Sequence, residues 1–348
     1  MIDLRSDTVT RPTKGMLRAM MRAKVGDDVL GDDPTVIRLE EMAAEFLGQE
    51  RALFMPSGSM ANTVAIKSWT QPGDEVILDR GSHSVNYEVG AGAVICGVMF
   101  NTLDMPDGIL TPAAVESAIR PHNIHQPETR LVSIENTHNR AGGTCYTLER
   151  VRDLSRLTKE RGLRLHMDGA RLVNASAVTG SKPREYGRLC DSVSQCLSKG
   201  LGCPVGTMLA GPPDFIERAR RCRKMLGGGM RQVGFLAAAG IYALQHNVER
   251  VAEDHANARR LAEGLAEIPV IEIDPGQFVT NLVYFRFKAG PQKAQKTIAA
   301  LKSKGILIML TAPDRARAVT HLDVSAKDIA LTLRTLKRLL GQTQAERV

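Results

Sequence analysis

The chain has 348 residues, 43% of them hydrophobic and 24% charged, and a net charge of +8 from 46 basic against 38 acidic residues. This is the profile of a globular protein with ample core, and the length fits two domains or one large α/β domain with an appendage. Only 4% of residues are aromatic and the charges are mixed along the chain, so there is little to stack bases on; nucleic acid is disfavoured as a partner, and an anionic small ligand explains local basic sites at least as well.

The opening "MIDLRSDTVTRPT" carries Asp3, Arg5 and Asp7 and no apolar stretch, so it does not read as a signal peptide. The first apolar run is "RALFM" (51–55). It leads into "FMPSGSMAN" (54–62), which opens a helix. There Gly58 and Ser59 put backbone N–H groups and a hydroxyl at a helix N-terminus, which suits a phosphate or is simply a capped turn. After the run "DEVIL" (74–78) comes His83, an imidazole able to stack on a ring or to serve as an ordinary structural residue. "GAVIC" (92–96) and "TRLVSIE" (129–135) read as further strands, with a helix at "AAVESAI" (113–119) between them. A second helix, "LERVRDLSRLTKERG" (148–162), ends in Gly162 as a C-cap would.

"LRLHMDGARL" (163–172) ends a strand on Asp168, an acid able to hold a metal, a hydroxyl or a protonated ring nitrogen, or to cap the next helix. "DSVSQC" (191–196) and "GTMLAG" (206–211) complete the runs, and "VGFLAAAGIYAL" (233–244) is too short to span a bilayer. Alternating β and α with strands apolar on both faces predicts a mainly parallel sheet covered by helices, with ligands beyond the carboxyl ends of its strands.

After about residue 250 the pattern changes to a long helix, a strand "FVTNLVYFRF" (278–287), a helix, the run "ILIML", a strand near "RAVTHLDV", and a last helix capped by Asp323 or Ser325. The expected organisation is a large α/β domain over 1–249, whose residues 1–15 form an arm to the active site, and a smaller C-terminal α+β domain over 250–348. The six cysteines contain no CxxC pair and read as reduced thiols of a cytoplasmic protein; no metal site is expected.

Lys199 is the single charge in "SQCLSKGLGCPVG" (194–206). Neighbouring strand ends would bring it beside Asp168. A lysine in apolar surroundings loses its charge more easily, and a neutral amine forms a Schiff base with an aldehyde. Pyridoxal phosphate needs this set together: an amine, a carboxylate for its ring nitrogen, and a phosphate cradle.

At this point the sequence resembles the threonine aldolases, pyridoxal-phosphate enzymes of the aspartate-aminotransferase fold type. The resemblance runs over nearly the whole chain, through "DLRSDTVTRPT", "VGDDVLGDDPT" (25–35), "PSGSMAN", "IENTHN" (134–139), "HMDGARL", "CLSKGLGCPVG", "GGGMRQ" (227–232), "AAAGIYAL" and "VTHLDV" (319–324). It implies pyridoxal 5'-phosphate bound covalently to Lys199, with Asp168 on the ring nitrogen, His83 stacked on the ring, and Gly58 and Ser59 on the phosphate. Arg171 would lie near the cofactor's 3-oxygen and the substrate carboxylate, and Ser6 and Arg317 would hold that carboxylate. Lys224 and Arg231 match positions that reach a neighbouring subunit's phosphate region, in a tetramer with sites at the dimer interface. His125 matches a histidine near the substrate's β-hydroxyl, with His122 a rival on the sequence alone.

The implied reaction cleaves β-hydroxy-α-amino acids such as threonine, allo-threonine or phenylserine to glycine and an aldehyde. β-Elimination or racemisation would need the same lysine and acid. One position departs from the family pattern: Leu30 stands where a tyrosine usually lines the substrate end, which exchanges a hydroxyl for an apolar wall.

Overall fold

A computed structural model gives the structure of the chain and describes residues 1–277 and 280–341. Its contacts divide it into two compact units, Pro12–Val248 and a smaller unit that joins Met1–Arg11 to the chain from Glu249. The opening segment, expected as an arm of the large domain, is thus grouped with the small one. The cause is backbone pairing: Ile2–Asp3 runs parallel to Ile306–Leu307, and the Leu4 carbonyl accepts from Val319 N at 2.8 Å.

The larger unit is built on a seven-stranded sheet. Its strands are β1 (Arg51–Met55), β2 (Glu75–Asp79), β3 (Met99–Leu103), β4 (Thr129–Glu135), β5 (Arg164–Asp168), β6 (Ser192–Cys196) and β7 (Thr207–Gly211). Their order is β1-β7-β6-β5-β4-β2-β3, parallel from β6 to β3 and antiparallel only where β7 pairs with β1 and β6. β2, β6 and β7 are buried along their whole length, as strands covered on both faces are. "GAVIC" is not a strand: Gly92–Cys96 forms a π-helical turn closed by Gly97 at φ 74°, and the strand follows at Met99–Leu103. A five-residue apolar run cannot be told from a helical turn by periodicity, and β3 hides itself because it is half-exposed at the sheet edge.

In the smaller unit, β8 (Leu282–Phe287), β9 (Met309–Ala312) and β10 (Arg315–Val319) form an antiparallel sheet with Ile271–Glu272, in the order β9-β10-β8-(271–272). The start of the expected strand at 278–279 lies outside the described residues, as does the chain beyond 341. Ser325 caps the final helix Ala326–Gly341: Ser325 N donates to Asp328 Oδ2 (2.9 Å) and Asp328 N to Ser325 Oγ (3.3 Å), whereas Asp323 accepts from Arg11 N. Among the described residues no helix is long and apolar enough to cross a membrane.

A buried ionic clamp fixes the end of β1. Arg223, on the helix Pro213–Met225, is fully enclosed and donates to the Phe54 carbonyl and to Asp28 Oδ2, both at 2.6 Å. Glu40 accepts from Phe54 N at 3.0 Å and pairs with Arg220 at 3.0 Å. The acids of "DDVLGDD" are consumed in this scaffold. Asp27 closes its own loop on Val29 N, and Asp33 caps the helix Pro34–Leu47 while accepting from Gly234 N. Breaking a buried pair leaves an uncompensated charge, so Asp28→Ala should cost about 3–5 kcal/mol in urea unfolding. A loss below about 1 kcal/mol would mean that water reaches Arg223.

Candidate active site

The carboxyl ends of β2, β4, β5 and β6 deliver Asp79, Glu135, Asp168 and the loop that carries Lys199. Asp168 is the last residue of β5, paired in register with Glu135 and Ser194. The chain must leave the strand sharply here. Asp168 Oδ1 accepts from Ala170 N at 3.0 Å, and a Cβ on Gly169 would stand 2.3 Å from the Ser194 carbonyl, so only glycine fits the turn. Arg171 is buried immediately after it. Lys199 is half-buried in the loop after β6, which is cross-tied by Gly202 N to the Lys199 carbonyl (2.8 Å), Cys203 N to the Leu197 carbonyl (3.1 Å) and Asn247 Nδ2 to the Leu201 carbonyl (2.8 Å).

Asp168 is the centre of a polar network. Asn62, on the helix Gly58–Trp69, spends both amide protons on carboxylates, donating to Asp168 Oδ2 at 2.7 Å and to Glu88 Oε1 at 2.8 Å. Glu88 in turn meets His83 Nδ1 at 2.8 Å, and His83 N donates to Glu135 Oε2 at 2.8 Å. Burial by itself would push the Asp168 carboxyl up. The charges of Lys199 and His83 and the Asn62 hydrogen bond outweigh burial and hold it below the usual carboxylate range. Burial pushes Glu88 the other way, above its ordinary value, against the pull of His83 and Asn62. Two buried acids that share one amide are thus driven apart, and Asp168 is the one kept as an anion.

At the front of the helix Gly58–Trp69, Ser57 caps Met60 N, while the Gly58 and Ser59 N–H groups have no acceptor among the described residues. A Cβ at Gly58 would lie 2.9 Å from Cys196 Sγ, so the turn sits close against the end of β6. An anion-binding helix start, an ionised buried acid and an amine on the adjoining loop are the features a pyridoxal phosphate requires, and the residues present fit it.

Of the other expected residues in this unit, His125, Leu30, Lys224 and Arg231 make no hydrogen bond to this network among the described residues. His125 is exposed in the loop before β4, at the amino end of the sheet; β4 pairs Glu135 with Asp168, so its first residue, Thr129, is about 20 Å away along the strand. Leu30 is 75% exposed. Arg231 pairs with Asp27 at 2.8 Å, and Lys224 runs beside Gly229, so Leu30, Lys224 and Arg231 surround one surface loop. In the smaller unit, Arg317 is buried on β10 and its Nη2 donates to the Arg5 carbonyl at 3.1 Å, one residue from Ser6. Ser6 Oγ accepts from Thr8 N as a cap. Asn62, Glu88 and Glu135 were not foreseen. Glu135 had a signal, since it ends a strand on an acid just as Asp168 does; Asn62 had none beyond lying in the Ser/Gly turn motif, and Glu88 had none.

The beta-eliminating lyase family model matches residues 3–288. The chain belongs to this family. It is 47% identical over 331 residues to the low specificity L-threonine aldolase of Escherichia coli K12, covering 95% of this chain and 96% of that one. It is 43% identical over 337 residues to low-specificity L-threonine aldolase 1 of Arabidopsis thaliana, covering 95% and 94%. A solved Leishmania major threonine aldolase shares the fold at a TM-score of 0.84 and 24% identity, covering 98% of this chain and all of that one. Within the family the chain groups with the threonine aldolases, carbon–carbon lyases that work with pyridoxal 5'-phosphate.

His83 is held above its ordinary pKa: burial pulls it down, but the Glu88 hydrogen bond and the Asp168 charge push harder. The contribution of this pair to stability is full below the unfolded imidazole value near ~6.5 and is lost as pH rises through the raised folded value. Glu88→Gln should therefore move the His83 titration to lower pH in histidine NMR of the cofactor-free protein. An unmoved midpoint would show that Glu88 does not set the state of His83.

Proposed function

We propose that this chain cleaves threonine and related β-hydroxy-α-amino acids to glycine and an aldehyde at the cluster around Lys199 and Asp168. The observation that carries this reading is the buried Asp168, held as an anion next to a half-buried lysine and a free helix N-terminus. When bound, pyridoxal 5'-phosphate supplies an electrophilic carbon for an amine and an electron-withdrawing ring that accepts the electrons of the breaking Cα–Cβ bond.

Gly58 and Ser59 receive the phosphate on their N–H groups. Asp168 would accept a hydrogen bond from the ring nitrogen and so keep it protonated, and His83 would pack against the ring. Lys199 is the amine that anchors the cofactor. Arg317, Ser6 and Arg171 grip the substrate carboxylate and so set the direction of the scissile bond. His125 of a neighbouring chain, or a water that it positions, takes the β-hydroxyl proton. Leu30 makes the side-chain end of the pocket apolar, and Lys224 and Arg231 reach toward a neighbouring chain's phosphate site. The exposure of Leu30, Lys224 and His125 supports sites completed between two chains, as in a tetramer built from dimers. The absence of a CxxC pair and six free cysteines support a cytoplasmic protein.

Incubation with L-threonine, L-allo-threonine and phenylserine should release glycine and the matching aldehyde, with phenylserine competing well because Leu30 offers apolar surface. 2-Oxobutanoate from the threonines or phenylpyruvate from phenylserine, with ammonia, would instead favour the β-elimination after which the family is described. Borohydride reduction followed by peptide mapping should label Lys199, and a label on Lys224 would overturn the assignment. Arg317→Leu should lower kcat and raise KM together, about ten- to a hundredfold in kcat/KM, because a charge-assisted pair is lost along with the orientation it enforces. Normal kinetics in a less stable protein would make Arg317 purely structural.

A further inference from the structure

Ser6 and Arg317, proposed as part of the grip on the substrate carboxylate, come from opposite ends of the chain and fall in the same compact unit. Val319 N donates to the Leu4 carbonyl at 2.8 Å and Arg317 Nη2 to the Arg5 carbonyl at 3.1 Å, so β10 and the opening segment are joined just ahead of Ser6. Two residues beyond β10 stands His321, 1% exposed. It meets the opening segment on both sides of Ser6. Its Nε2 is 2.7 Å from the Asp3 carbonyl, and its Nδ1 is 3.1 Å from Thr10 Oγ1. A carbonyl can only accept, so Nε2 carries a proton and donates it to Asp3.

What lies between these two contacts is a tight turn. Ser6 Oγ accepts from Thr8 N (3.2 Å) and so caps the short 3₁₀ helix Asp7–Val9, and the Thr10 hydroxyl closes that helix on the Asp7 carbonyl (2.5 Å). Asp3, whose carbonyl takes the imidazole, holds Arg5 Nη2 on its carboxylate at 2.6 Å. Past Thr10, Arg11 N donates to Asp323 Oδ2 at 3.0 Å, and Asn281, just before β8, reaches Asp7 Oδ2 at 3.3 Å. Between Leu4 and Thr10 the only apolar side chain is the half-buried Val9, so little apolar packing holds the turn. Its place is set by polar ties, and His321 contacts both of its flanks.

We propose that His321 is a positioning residue for the substrate: by bonding Asp3 and Thr10 at once it holds the Ser6 turn against the strand that carries Arg317, and so keeps hydroxyl and guanidinium in one fixed relation. Two groups that grip a single carboxylate and aim the scissile bond must keep their separation, since a displacement of about 1 Å can cost roughly a hundredfold in rate. His321 itself touches the arm and not the ligand. Its part in turnover rests on the reading of Ser6 and Arg317 as the carboxylate grip; the tie to the arm does not.

In the cofactor-free wild type, ¹⁵N NMR should show a proton on His321 Nε2. A bare Nε2 would overturn the tie without any variant having to fold. Two variants then separate the reach to Asp3 from the contact with Thr10. His321→Gln can place an amide N–H where Nε2 stood, whereas His321→Asn, one carbon shorter, can replace only Nδ1. Hydrogen exchange of the cofactor-free proteins should show the segment 2–10 exchanging about three- to tenfold faster in His321→Asn, the size of one hydrogen bond, and near the wild-type rate in His321→Gln. Wild-type exchange in a folded His321→Asn protein would sink the proposal, and so would equally fast exchange in both variants. In the holoenzyme, His321→Asn should raise KM for threonine by a similar factor while borohydride still labels Lys199, and His321→Gln should recover most of the loss. Less active protein with an unchanged KM would make His321 purely structural. An inactive wild type, or normal kinetics in Arg317→Leu, would strike the functional reading instead, and leaves the exchange outcome to decide the tie.

Discussion

Everything at the candidate site depends on keeping one buried carboxylate charged. A buried anion is costly unless hydrogen bonds and opposite charges answer it. Around Asp168 the answers come from separate parts of the chain: Ala170 N from its own turn, Asn62 from the helix above, His83 from the turn after β2, and Lys199 from the loop after β6. No one of these elements has a reason to stand where it does without the others. The parallel sheet makes the meeting possible, because it brings the carboxyl ends of β2, β4, β5 and β6 to one edge.

The same economy appears in the way the two acids that share Asn62 are treated. Asn62 donates to both Asp168 and Glu88, yet one is held ionised and the other is pushed toward neutrality. The difference lies in the company each keeps. Asp168 feels Lys199 as well as His83, whereas Glu88 is left with His83 and the repulsion of Asp168 itself. Site chemistry of this kind is set by which charges share a small space, and a sequence position carries no record of that.

The scaffold behind the phosphate turn shows a second division of labour. Acid-rich "DDVLGDD" invites a reading as binding residues. Its aspartates are spent on a buried arginine, a helix cap and the loop's own backbone, which fixes the end of β1 directly ahead of Ser57 and Gly58. The motif supports the site by holding the strand that leads into it. Leu30, with Gly31 and Asp32 beside it, is turned out to the surface.

Much of this was legible in the order of residues. Strand ends marked by Asp168 and by the isolated Lys199, a Ser/Gly turn opening a helix, and alternating β and α segments are local signals, written within a few residues each, so a mainly parallel α/β unit and a lysine–acid pair could be read directly. The failures were also local in origin. "GAVIC" has no period to separate a helical turn from a strand, and the two-residue pairing of Ile2–Asp3 with Ile306–Leu307 joins segments some three hundred positions apart. Asn62 and Glu88 acquire their meaning only when a helix is laid across neighbouring strands. The sequence by itself determined which residue types stand at the strand ends, because strand ends are marked by local composition. Only the tertiary structure decided which acid keeps its charge, because burial and the distance between charges exist only in the folded chain.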